Sequence, residues 1–302
     1  MVKLKDVTSE EYLSPGNLGC AACPEVLGFR HVLKALGPRT IAINGTGCLA
    51  VVMQMWVPKV PHFHVLFENA AAVVSGIDDG LRALGKREGV NLVVVAGDGG
   101  TADIGLAALS GAIERNQDFI YICFDNESYM NTGGQRSGTT PFGARTSTTP
   151  VGRLVQGEDR APGLRKDLME IMVAHKVPYV ASTSIAYPLD LIERVQRAAA
   201  VRGPTYIHCH SPCPTGWGVE TGDLITVARL AVQSGCVVLY EVVNGEYRIT
   251  KKVQKSKPVV EYLKHQARFK HLIHDEATLA KIQTAVDEAH VATLARMTPA
   301  GS

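Results

Sequence analysis

Asp98 stands between Gly97 and Gly99, with Gly100 next, and the four residues could bind a phosphate-bearing ligand through a metal ion. Glycines let the backbone approach a ligand closely, and the start of a following helix offers unpaired N–H groups to a phosphate. A carboxylate at such a turn suits Mg²⁺, which takes oxygen ligands in a tight octahedron and often uses few from the protein. Asn126, 28 positions later (126 − 98), carries a second neutral oxygen donor. The bare Gly-Asp-Gly is equally compatible with an ordinary turn. Sulfur chemistry is the other possibility. Cys20 and Cys23 form a CxxC pair, and Cys48 and Cys213 lie in separate segments, Thr46-Gly47-Cys48 and Pro212-Cys213. Four thiolates could hold an iron–sulfur cluster or a structural zinc. The CxxC pair could instead be a redox dithiol, or the cysteines could be unconnected core residues.

The elements around Asp98 and Asn126 follow from apolar patterning. Leu92–Ala96 is an apolar run of strand length, Ile104, Leu106, Ala107, Leu109 and Ile113 recur at helical spacing, and Phe119–Phe124 is a second strand. Strand, glycine turn, helix and strand make one βαβ unit, which places both candidate ligands at the carboxyl ends of parallel strands. The whole chain reads as an α/β domain with a mostly parallel sheet and helices on both faces, over residues 1–240. A hairpin and helical arm over 241–302 follow.

In chain order, residues 1–17 read as a polar arm on the surface. Pro24 opens a helix whose apolar side is Val26, Leu27, Val32, Leu33 and Leu36, and Gly37-Pro38 ends it. Thr40–Ile43 is a short strand closed by a glycine-rich turn that carries Cys48. Leu66–Leu84, Leu164–Ala174, Leu189–Ala200, Leu224–Val232 and Leu279–Leu294 read as helices. Val177–Ala181 and Thr205–His208 read as strands, and Val237–Ile249 as a hairpin turning at Asn244-Gly245. The long polar stretch from Arg136 to Gly163 reads as a binding loop, because it continues directly from the Asn126 segment. Cys123 and Cys236 fit core positions. Cys209 alternates with Ile207 and is core or cluster neighbour rather than ligand.

Composition excludes several classes. The 302 residues are 46% hydrophobic and 20% charged, with a net charge of +2, so no electrostatic case exists for nucleic acid. Lys251, Lys252, Lys255 and Lys257 fit a solvated hairpin or linker. No run approaches the roughly 20 apolar residues that span a bilayer, and the first residues lack a signal-peptide core. A cytoplasmic protein is expected.

Gly-Asp-Gly, a helix and then Asn at the next strand end resemble the thiamine diphosphate motif. The longer string Asn126-Glu127-Ser128-Tyr129-Met130-Asn131-Thr132-Gly133-Gly134-Gln135 is similar to the thiamine-binding beta subunit of 2-oxoacid:ferredoxin oxidoreductases, the pyruvate synthase group. The resemblance runs from Cys20 to Trp217, with weaker support from Lys257 to Phe269. It implies that Asp98, Asn126 and the Ser128 carbonyl bind Mg²⁺ against the diphosphate, with Gly97, Gly99, Gly100 and Thr132 lining it. It implies that Asn131 faces the reacting carbon, that Cys48 and Glu25 lie near the cofactor, and that Cys20, Cys23, Cys48 and Cys213 hold one 4Fe–4S cluster. For Glu25 an acid in a helix's first turn, complementing the dipole, is the alternative. One departure is that the family's Cys-x-Gly-Cys-Gly becomes Cys20-Ala21-Ala22-Cys23-Pro24 here, which bears on hydrogen bonds to sulfur and so on potential.

The implied activity is oxidative decarboxylation of a 2-oxoacid, with electrons leaving through the cluster to ferredoxin and coenzyme A taking the acyl group. Pyruvate is the expected substrate, with branched-chain 2-oxoacids, aryl glyoxylates and oxalate as alternatives. The glutamate that activates the aminopyrimidine is absent from a chain of this kind. Glu68 is a weak stand-in and better read as a helix start or interface residue. A partner subunit carrying that glutamate and a ferredoxin-like subunit with further 4Fe–4S clusters are therefore implied. A non-redox thiamine enzyme half and a zinc-stabilised scaffold subunit are the competing readings.

Overall fold

The computed structural model describes residues 2–54, 57–149 and 161–297. Its centre is built from the most apolar, β-branched runs. Strand β3 (Asn91–Gly97) and strand β4 (Ile120–Asp125) pair in parallel from Val93↔Ile120 to Gly97↔Phe124, and every residue of β4 is buried. Burial on both faces is what parallel strands covered by helices require. Strand β1 (Thr40–Gly45) lies on the other side of β3, with β2 (His62–Val65) beyond it. Past β4 come β6 (Thr205–His210) and β5 (Tyr179–Ser184), both parallel. The antiparallel pair β7 (Tyr240–Val243) and β8 (Glu246–Ile249) completes one eight-stranded sheet, with β7 bonded to β5.

Helices cover both faces, as the patterning predicts. On one face, α1 (Pro24–Leu36), α2 (Cys48–Met53) and α6 (Pro188–Ala199) share a core that includes Phe29, Leu33, Leu49, Val93, Phe124 and Leu191. On the other, α3 (Ala70–Ala83), α4 (Leu106–Glu114) and α5 (Leu168–Ala174) pack on Val94, Tyr121 and Tyr206. A third core gathers around Trp217 from α7 (Pro214–Trp217), α8 (Leu224–Gln233), α9 (Val259–Leu263) and α10 (Glu276–Ala295). The N-terminal arm lies against α1, where the Lys34 ammonium donates to the Thr8 and Glu10 carbonyls.

Several boundaries differ from the sequence reading for identifiable reasons. His62-Phe63-His64-Val65 is polar and half-exposed, so the edge strand β2 carries no apolar signal. Cys48 opens a helix rather than ending a turn. The helix expected from Leu66 begins at Ala70, and the one expected from Leu164 begins at Leu168, where the Asp167 side chain caps the Glu170 N–H at 3.1 Å. Residues Gly100–Ile104 form one π-helical turn before α4, closed by the Gly105 N–H on the Gly100 carbonyl at 2.9 Å. The hairpin does turn at Asn244-Gly245, both left-handed at φ 51° and 87°, as a type I′ turn demands. Residues 150–160 of the expected binding loop lie outside the described residues.

The order β2-β1-β3-β4-β6-β5 runs outward in both directions from the β1/β3 boundary. Open parallel sheets bind ligands in the crevice at such a switch point, beyond the strands' carboxyl ends. Helix α1 reaches that rim through Gly28, where a Cβ would stand 2.3 Å from the Phe124 ring. Gly28→Ala is expected to destabilise the chain by about 1–3 kcal/mol by overpacking, read as a lower urea midpoint with an unchanged slope.

Candidate functional site

The carboxyl ends of β1, β3 and β4 enclose a cleft of about 310 Å³ that opens to solvent. Its walls include Glu25, Gly47, Cys48, Gly97, Gly99, Gly100, Asn126, Ser128, Asn131 and Thr132. Most of the residues expected to meet a cofactor, drawn from four separate segments, thus line one cleft. Gly97 faces open space, whereas a Cβ on Gly99 would strike the Tyr129 ring at 2.5 Å. The close approach at Gly99 is therefore to Tyr129, whose hydroxyl donates to the Gly99 carbonyl at 2.9 Å. Asn131 and Thr132 sit exposed on the rim. Glu68 lies in the turn before α3 and is not part of the cleft wall.

Asn126 is held on three sides. Its N–H donates to Asp98 Oδ1 at 3.3 Å, its carbonyl accepts from the Trp217 indole at 2.7 Å, and its side-chain N–H donates to Glu25 Oε1 at 2.8 Å. Its Oδ1 is buried and has no hydrogen-bond partner among the described residues. A buried acceptor left unpaired is costly, and a metal ion is one partner that would satisfy it. Glu25 is 3% exposed, and burial pushes its carboxyl up to about 7 against the pull of the Asn126 amide.

Asp98 does not itself line the cleft; it is fully buried just behind it. The Thr139 hydroxyl lies 2.9 Å from both Asp98 Oδ2 and Asp125 Oδ1. One hydroxyl proton can serve only one of two ionised carboxylates. Burial, and next the Asp125 charge, push Asp98 well above the usual carboxylate range. Asp125 is also pushed up by burial, but the His208 ring, 3.0 Å away, more than offsets this and leaves it lowered. A buried carboxyl whose charge burial disfavours, beside an amide oxygen without a partner among the described residues, fits a divalent cation. The Ser128 carbonyl, which accepts from the Met130 N–H at 2.9 Å, has a second lone pair on the same wall.

Between them Glu127 adopts a left-handed φ of 63° while 5% exposed, a conformation that costs a non-glycine residue about 1–2 kcal/mol. Its carboxylate accepts from Arg165 at 3.0 Å and from Arg268. Arg268 in turn lies over the Trp217 ring, 3.7 Å from its centroid. Sequence reasoning missed Thr139, Trp217 and Arg268, which have no local signal linking them to residues 41, 91 and 141 positions away.

Of the four cysteines, Cys48 lines the cleft. Burial pushes the Cys23 thiol up to about 12, with the Glu25 charge adding to it, and raises Cys48 and Cys213 as well. Cys213, Cys23 and Cys20 all lie within electrostatic range of the Cys48 thiol. Among the described residues no group of three or more His, Cys, Asp or Glu side chains is already arranged to grip a metal ion. Cys123 and Cys209 are buried, and Cys236 is half-buried.

His210, beside Trp217, is buried and neutral: burial pushes its ring down to about 4 from 6.5. A base whose folded value is depressed stabilises the fold fully above 6.5, and that stability is lost as pH falls from 6.5 towards 4. The group accounts for about 3 kcal/mol across that window. Cofactor-free His210→Gln is accordingly expected to lose less stability than the parent between pH 7 and 4.5, measured by urea unfolding at each pH.

The fold and the cleft are those of a doubly wound ligand-binding α/β domain. The family model of the thiamine pyrophosphate enzyme C-terminal TPP-binding domain matches residues 45–209. Over 284 residues the chain is 51% identical to pyruvate synthase subunit PorB of Methanothermobacter marburgensis, covering 93% of this chain and 96% of that one. It is 44% identical over 276 residues to ketoisovalerate oxidoreductase subunit VorB of Pyrococcus furiosus, covering 88% of each. A solved 2-oxoglutarate:ferredoxin oxidoreductase from Magnetococcus marinus shares the fold, with a TM-score of 0.56 and 24% identity over 76% of this chain and 80% of that one. The chain belongs to the thiamine-pyrophosphate-binding beta subunits of the 2-oxoacid:ferredoxin oxidoreductases. It is one subunit of a multi-subunit oxidoreductase. No described helix is long and apolar enough to cross a membrane.

Proposed function

We propose that this subunit binds thiamine diphosphate through Mg²⁺ at the β3/β4 rim and supports oxidative decarboxylation of pyruvate by the assembled complex. The observation that carries the reading is the buried Oδ1 of Asn126, without a partner among the described residues, in the wall of a glycine-floored cleft with the buried Asp98 carboxyl directly behind it. Asp98, Asn126 and the Ser128 carbonyl would hold the metal, and Gly97 and Gly100 would leave room for the diphosphate. Bound there, thiamine supplies the carbon nucleophile and electron sink. The chain's own residues orient and exclude. Glu25 keeps the Asn126 amide turned, Tyr129 closes the turn over Gly99, and exposed Asn131 meets the substrate from the rim.

Cys20, Cys23, Cys48 and Cys213 would bind one 4Fe–4S cluster, a reading supported by Cys48's place in the cleft wall and by Cys213 capping the helix that ends at Trp217. Cluster binding must expel the thiol protons that burial favours. Coenzyme A acts as acyl acceptor, a partner subunit brings the activating glutamate, and a ferredoxin-like subunit passes electrons to external ferredoxin. The seven free thiols suit a cytoplasmic setting.

Support for pyruvate over 2-ketoisovalerate comes from pyruvate synthase subunits of Methanothermobacter, Methanosarcina and Methanocaldococcus at 47–51% identity, against 43–44% for Pyrococcus ketoisovalerate subunits, while a Pyrococcus pyruvate synthase subunit is 38% identical. The test is viologen reduction by the anaerobically purified complex with pyruvate, 2-ketoisovalerate, 2-oxoglutarate and oxalate, each with and without coenzyme A. Pyruvate turnover that requires coenzyme A is expected. Turnover confined to another acid overturns the substrate, and turnover on none overturns the activity.

A further inference from the structure

Asn126 and Ser128 flank a residue that resists the conformation it holds, so something must keep the turn in place. Three side chains from beyond the turn converge on it. Trp217, fully buried, donates its indole N–H to the Asn126 carbonyl at 2.7 Å. The Arg268 guanidinium stacks on that indole at 3.7 Å and bonds the Glu127 carboxylate. Arg165 bonds the same carboxylate from the opposite segment at 3.0 Å. Arg268 is 5% exposed and is itself oriented by Gln266, whose Oε1 accepts from its Nε at 2.9 Å.

We propose that Trp217 and Arg268 are positioning residues that lock the Asn126–Ser128 turn in its metal-binding form. This rests on the reading of Asn126 as a Mg²⁺ ligand. The indole bond fixes the peptide plane after Asn126, and the Glu127–Arg268 contact holds the left-handed residue that follows. With the amide nitrogen tied to Glu25, Oδ1 is the one polar group of Asn126 left free to meet an ion. Relaxation of residue 127 towards an extended φ would swing Asn126 and the Ser128 carbonyl out of register together.

The brace also spans the two cofactor regions. Cys213 caps the start of helix α7, its sulfur accepting from the Gly216 N–H at 3.3 Å, and the helix ends at Trp217. A single helical turn therefore connects a candidate cluster thiol to the carbonyl behind a candidate metal ligand.

The test uses the anaerobically purified complex and titrates Mg²⁺ at fixed thiamine diphosphate, reading bound thiamine by equilibrium dialysis and turnover separately. Trp217→Phe keeps an aromatic face beneath Arg268 but removes the indole N–H together with its five-membered ring. Arg268→Lys keeps the charge and removes the flat stacked donor. Each is expected to raise the Mg²⁺ concentration for half-maximal thiamine binding about tenfold. Each is also expected to leave kcat at saturating Mg²⁺ within about threefold of the parent. A merely structural role would lower yield or melting temperature without moving the Mg²⁺ midpoint, and an unmoved midpoint in either folded variant overturns the brace. Should Trp217→Phe not fold, Arg268→Lys decides the matter by the same midpoint. Asn126→Ala separates the two levels. If the parent binds thiamine and Asn126→Ala binds it equally well, the metal-site reading has failed and the brace with it. If Asn126→Ala alone loses binding, only the brace has failed.

Discussion

Asn126→Ala is expected to lower thiamine-dependent turnover of the complex more than about 100-fold, because it deletes the proposed oxygen donor to Mg²⁺ and frees Glu25. The loss should come with loss of bound thiamine, measured after gel filtration, and with little change in fold, since the backbone bonds to Asp98 and Trp217 do not need the side chain. Asn126→Asp makes the contrast sharper. It keeps an oxygen but removes the N–H that holds Glu25, and places a second acid beside a carboxyl already pushed up to about 7 by burial. Without a cation, that variant should bind protons that the parent does not. Retention of thiamine by Asn126→Ala would remove the basis for metal binding at this rim.

The second large effect concerns sulfur. Cys213→Ser is expected to cut the iron bound per complex by about four atoms and to weaken the broad absorption near about 400 nm. Viologen reduction should fall by more than about 100-fold, while thiamine still binds, because the metal turn keeps its own oxygen donors. Cys236→Ser, altering a half-buried thiol outside the proposed quartet, should change neither iron nor turnover. Zinc in place of iron in the parent complex, or full iron in Cys213→Ser, would return the quartet to a structural or incidental role.

How much of this could be read from the residues alone depends on how each signal is carried. The central βαβ unit was legible because Leu92–Ala96 and Phe119–Phe124 are buried on both faces and therefore apolar without interruption. The hairpin at Asn244-Gly245 was legible because few residues accept two successive left-handed positions. Strand β2 was not, since an edge strand with exposed Phe63 and two histidines has no burial to record. The Asp98–Asn126 pairing came from spacing and strand geometry. The brace behind it did not, because Arg268 reaches Glu127 across 141 positions, and no periodicity encodes a contact that only tertiary packing creates. Thr139 falls within the polar stretch read as a binding loop, but its bridging of two carboxyls depends on β3 and β4 lying side by side.

Trp217 is one of two tryptophans in the chain, and it has no exposed surface. An indole shielded from water emits at shorter wavelength than a hydrated one, and a guanidinium stacked on its face changes its quantum yield. The chain thus carries an intrinsic optical reporter bonded to the residue that would grip the ion. Loading of the cleft should be visible in the emission spectrum without any label.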